Sequence, residues 1–142
     1  MVHGHCLAGG LELASACDLI YTCKNAKVGY PPVRVMGLPD TQILPWVCGF
    51  RNSKELMLTG DSMNGEEAVK FGWANRCFEN EEELERGVLR LAKQITKIPS
   101  DILQFNKRSV HRAMEIMGMR TALRYGTDLQ GNYHTLFCYF FF

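Results

Sequence analysis

The residues best suited to chemistry lie together at the start of the chain, in His3-Gly4-His5-Cys6-Leu7-Ala8-Gly9-Gly10-Leu11-Glu12-Leu13-Ala14. Adjacent glycines at a strand-to-helix junction let the backbone approach a ligand closely. The first free N–H groups of the helix then point outward with the positive end of its dipole, where a developing oxyanion can sit. Gly9 is expected at the helix N-terminus with its N–H exposed, in a concave site beside Glu12. Glu12 lies one turn inside the helix and could exchange a proton with whatever is bound there.

Other readings of the segment can be tested on paper. A P-loop needs Lys and then Ser or Thr after its last glycine, whereas Gly10 is followed by Leu11 and Glu12. Gly4, Gly9 and Gly10 do not fit G-x-G-x-x-G. No G-x-S-x-G elbow occurs. His3 and His5 alternate along a strand with no third or fourth ligand nearby, so no metal is expected. On spacing alone, a tight packing turn carrying a surface glutamate remains an equal reading.

The elements that must position these groups follow from pattern. Val2 to Leu7 is a strand, turning at Ala8-Gly9-Gly10 into a helix from Leu11 to about Cys17. Asp18 to Cys23 is a buried strand, and Lys27 to Tyr30 another, ended by Pro31-Pro32. A helix from about Thr41 to Cys48 follows, with Asp40 as its preferred cap. Asn52 with Glu55, Asn64 with Glu67, and Asn80 with Glu83 have the spacing of capping boxes. Gly49, Gly60 and Gly72 sit where helices should stop. Trp73 to Phe78 is a strand and Glu79 to Lys97 an amphipathic helix. Pro99 opens another helix, and a last one runs from Met119 to about Gln130. Strands first and helices last imply an α/β architecture with a helical C-terminal segment.

Composition narrows the classes. The chain has 142 residues, enough to bury one core. Its 16 basic and 15 acidic residues predict neither nucleic-acid nor membrane electrostatics. Six cysteines without a C-x-x-C pair, and no targeting sequence, suggest reduced thiols inside a cell. Leu136 to Phe142 is an apolar tail that breaks the preceding helical period, as in a truncated or mis-spliced product. It is too short to span a bilayer, which takes about 20 residues.

The stretch V-H-G-H-C-L-A-G-G-L-E-L-A-S-A-C-D-L-I-Y resembles the signature of the enoyl-CoA hydratase/isomerase (crotonase) family, N-G-x-x-x-G-G-G-x-E-L-x-x-x-C-D. Ala26-Lys27-Val28-Gly29 is similar to its A-x-F-G strand. Lys54 to Gly60 resembles K-x-L-x-L-T-G, and Glu67-Ala68 with Gly72 to Arg76 resembles E-A-x-x-x-G-L-V-N-x. The resemblance implies a crotonase (ClpP/crotonase-like) β-β-α superhelix fragment. Residues 1–98 would be the C-terminal half of its core, 99–135 a helical trimerisation segment, and 136–142 the atypical tail.

The resemblance also implies roles. Gly9 would give an oxyanion N–H to a thioester carbonyl, and Glu12 would be a general acid/base. Ala8, where the family has glycine, reads as a small change. The second hydratase glutamate falls at Pro32, which cannot move a proton; Asp40 is the nearby acid that could replace it. Lys107, in a basic stripe with Arg108, His111 and Arg112, would meet the CoA phosphates. The substrate would be an acyl-CoA, with no cofactor. Expected too are a trimer or hexamer when the chain is full length, a place in fatty acid metabolism, and the cytoplasm, mitochondrion or peroxisome as compartment. The alternative is an inactive, truncated pseudo-enzyme with an assembly role. Uncovered strand edges and apolar faces would make the isolated chain associate.

Overall fold

Parallel strand pairing organises the first part of the chain. A computed structural model describes residues 1–35 and 37–141, the side chains of His134 and of residues 136–141 excepted. Strand β1 (His5–Leu7) pairs in parallel with β3 (Lys27–Gly29), which pairs antiparallel with β4 (Ser62–Met63). A second sheet pairs β2 (Tyr21–Cys23) with β5 (Arg76–Phe78), also in parallel. A single bridge from Val2 to Thr22 joins the two regions. Parallel neighbours need crossovers, and helices α1 (Gly9–Ser15), α2 (Leu44–Thr59) and α3 (Gly65–Lys70) lie in those connections. Helix α4 (Glu81–Ile95) covers the second sheet, and α5 (Ser100–Ile116) and α6 (Met119–Phe141) pair with each other.

The principal core joins Cys6, Leu11, Val28, Leu44, Leu56 and Trp73. Tyr21, Cys23 and Leu84 form a smaller cluster, closed by Phe78, Val88 and Leu91. The Leu84, Val88 and Leu91 spacing is the apolar face expected of an amphipathic α4. Helix α5 has no buried residue.

Several expected boundaries move. Leu19 is exposed rather than part of a buried strand, and Pro31-Pro32 opens a 3-10 turn, Pro31–Arg34, instead of merely ending β3. Asp40 does not cap a helix. Helix α2 begins at Leu44 after Ile43 with no side-chain cap bond, because Pro45 in its first turn has no N–H to satisfy. Gly49 does break that helix, with φ 73 and ψ 164. Asn52 lies inside the second half rather than capping it; its amide donates to the carbonyls of Cys48 at 3.0 Å and Phe71 at 3.3 Å. Asn64 and Glu67 form the full capping box, and Asn80 accepts from the Glu83 N–H. Helix α6 continues through Phe141 rather than stopping near Gln130. The side chains of the tail from residue 136 onward lie outside the described residues.

Candidate active site at the start of helix α1

Two hydrogen bonds build the turn that carries Gly9 and Glu12. Leu7 pairs with Gly29, and Ala8 N–H then donates to the Gly29 carbonyl at 3.0 Å. Ala8 turns the chain with φ 52 and ψ −123, the only positive φ at a non-glycine residue among those described. Its carbonyl accepts from Glu12 N–H at 3.2 Å, the first bond of α1. That carbonyl therefore points along the helix, and the Gly9 N–H of the same peptide plane points back out of its N-terminus. The far end of the helix is fixed by Trp73, whose indole N–H donates to the buried Ser15 hydroxyl at 2.7 Å.

A Cβ placed on Gly9 or Gly10 would meet nothing within 4 Å. Glycine in a helix costs about 1 kcal/mol relative to alanine, and the chain's own packing gives no reason for it here. Open space in front of both residues is what a ligand approaching the backbone requires.

Glu12 is half-buried, and its Oε1 accepts from Thr41 N–H at 3.4 Å. Burial pushes its carboxyl above the ordinary value; the Thr41 amide pulls it back and the neighbouring Asp40 charge pushes it up again. The Thr41 bond brings the adjoining residue, the exposed Asp40, close enough for its charge to act on Glu12. The loop bearing Asp40 is braced from behind by α6. Thr127 Oγ1 donates to the Asp40 carbonyl at 2.9 Å, and Gln130 Oε1 accepts from Leu38 N–H at 3.1 Å. Pro32 stands in the 3-10 turn after Tyr30.

Lys107 is elsewhere. Its ammonium pairs with Asp18 at 2.5 Å, and His111 pairs with the other oxygen of Asp18 at 3.3 Å. Asp18 lies past the C-terminal end of α1, roughly 10 Å along the axis from Gly9 at 1.5 Å per residue. The Lys107 hydrogen bond, foremost, holds the Asp18 carboxyl below its ordinary value. Of the histidines expected to be free of metal, His3 pairs with Glu81 at 3.3 Å. A cavity of about 310 Å3 opens on the opposite side of α1, against Gly10, Leu13 and Ala14. An apolar groove of about 470 Å3 runs between Val47, Val110, Met114 and Leu123. Glu12 lines neither.

Sequence reasoning missed two groups. The Thr41 amide carries no side-chain signal. Tyr30 ends the strand pattern in the sequence, yet its phenol is pushed up by burial and by the charges of Glu12 and Asp40. An aromatic hydroxyl beside Pro-Pro was the available clue.

Short parallel strands crossed by helices, with a glutamate one turn past a glycine-rich strand-to-helix turn, define a crotonase-fold protein. The chain belongs to the enoyl-CoA hydratase/isomerase family, whose profile matches residues 1–135. It is 34% identical to a short-chain-enoyl-CoA hydratase of Clostridioides difficile, over 92% of this chain and 82% of that one. It is 33% identical to a crotonyl-CoA hydratase of Syntrophomonas wolfei, over 80% of this chain and 45% of that one. The solved enoyl-CoA hydratase of Mycobacterium smegmatis superposes with a TM-score of 0.86 and 31% identity, covering 91% of this chain and 44% of that one. The chain therefore spans less than half the length of the latter two. Among the described residues, no helix is long and apolar enough to cross a membrane.

Proposed function

We propose that this chain stabilises the enolate of an acyl-CoA thioester in the manner of an enoyl-CoA hydratase or isomerase. The Gly9 N–H holds the thioester oxygen while charge develops on it. Glu12 moves the proton at the adjacent carbon. Asp40 supplies the second carboxylate that the family pattern places at Pro32. The observation that carries this reading is Glu12 held by the Thr41 amide one turn past the open N–H of Gly9. The CoA thioester is substrate and no cofactor is required. Lys107 is assigned to a CoA phosphate. It would leave Asp18 to reach it, and exposed pairs of that kind are worth only about 0–1 kcal/mol. Assembly as a homotrimer or hexamer belongs to the same proposal.

The test is turnover of crotonyl-CoA by the chain and by Glu12→Gln. Glutamine keeps the size and the Thr41 contact but cannot exchange a proton, so activity should fall at least about 100-fold. Unchanged turnover removes Glu12 from the mechanism. A second reading, an inactive subunit with an assembly role, is favoured by Pro32 at the acid's position and by exposed Leu13, Leu58 and Phe105. It requires that neither protein turns over.

A further inference from the structure

Tyr30 packs its ring into the principal core and leaves 9% of its surface exposed. Among the described residues its hydroxyl has no hydrogen-bond partner. Every fully buried side-chain nitrogen or oxygen among them does have one, so the Tyr30 hydroxyl must reach open space. The Gly29–Ala8 hydrogen bond sets Tyr30, the next residue, beside the entry to α1. The charges that act on its phenol are those of Glu12 and Asp40. With burial they hold it in the protonated, donating form. For packing alone a phenyl ring would serve as well, without a polar atom to satisfy.

We propose that Tyr30 is the hydrogen-bond donor that holds the reacting oxygen atom, the water that adds to an enoyl thioester or the hydroxyl that results. This rests on the acyl-CoA reading above. A held water needs two to four polar partners. Glu12 and Asp40 accept its two hydrogens, the Tyr30 O–H takes one lone pair, and the other lone pair faces the β-carbon. An isomerase moves a proton between two carbons and has no such oxygen for Tyr30 to hold, so the trio selects hydration. In that step the water oxygen bonds to the β-carbon and its proton passes to Asp40. The alkene electron pair moves to the α-carbon and onto the thioester oxygen. It then returns to take the proton that Glu12 carries, giving a 3-hydroxyacyl thioester.

Tyr30→Phe keeps the ring and removes only the donor. Two reactions separate the outcomes: hydration of crotonyl-CoA, and exchange of the α-protons of butyryl-CoA into deuterated water, which needs Glu12 but no bound water. We expect hydration to fall about 10- to 100-fold, the loss of one hydrogen bond in the transition state, with exchange retained. Hydration equal to the parent's overturns the role of Tyr30 and leaves the acyl-CoA reading intact. Equal loss of both reactions overturns it in favour of a packing role. A parent that exchanges but does not hydrate also overturns it. A parent that does neither overturns the acyl-CoA reading itself, and Tyr30 with it.

Discussion

Thr41 gives its backbone N–H to Oε1 of Glu12 at 3.4 Å, closing a loop of 29 residues onto helix α1. The contact only partly offsets burial, and the carboxyl stays above its ordinary 4.5. A group that binds its proton more tightly when folded favours the folded state at low pH. Its contribution is complete below about 4.5 and is lost as pH rises through the raised folded value. Glu12→Gln should therefore melt at a higher temperature than the parent at pH 7, and together with it well below pH 4.5. Thermal melts followed by circular dichroism at the two pH values check this; a variant that is less stable at pH 7 contradicts it.

Ala8 is a small change from the family's glycine, yet it holds φ 52 and ψ −123. A side chain in that region costs about 1–3 kcal/mol. Ala8→Gly should raise stability by about 1 kcal/mol, reduced by the extra freedom glycine gives the unfolded chain. Urea titration reads the difference directly, and a destabilised glycine variant would show that the turn is not strained.

The indole of Trp73 depends on Ser15. Ser15→Ala leaves that buried N–H without a partner and should cost about 1–3 kcal/mol. In a Trp73→Phe background the same change should cost much less, because the orphaned donor is gone. Additive losses in the double-mutant cycle would refute the coupling.

Leu13, Leu58 and Phe105 are 74%, 84% and 71% exposed. Large exposed apolar side chains distributed over α1, α2 and α5 favour association. Size-exclusion chromatography with light scattering should find a species larger than one chain, and a concentration-independent monomer would count against it.

Local signals were legible where one residue type decides a conformation. Asn64 with Glu67 capped α3, and Gly60 closed α2 with φ 68, because such ends depend on neighbours within a turn. The Gly9-to-Glu12 spacing was legible for the same reason. The cap expected at Asp40 failed because a good cap residue is also a good loop residue, and only the long-range bond from Thr41 to Glu12 shows which element the loop meets. Strand β4 spans only Ser62–Met63, too short for any periodicity. The surroundings of Tyr30 were hidden because they depend on how α1 and the loop after β3 pack around it.

The bracing of the Asp40 loop by α6 has a consequence for how the site comes into being. A chain leaves the ribosome N-terminal end first. Gly9, Glu12 and Tyr30 emerge early and can settle as soon as β1 and β3 pair. Asp40 emerges soon after, yet its carbonyl is held by Thr127, 87 positions further on. Contacts that distant in sequence form slowly, since a long loop must close first. Until that helix docks the Asp40 carbonyl is without its Thr127 partner, and the Thr41–Glu12 bond is what ties the loop to α1.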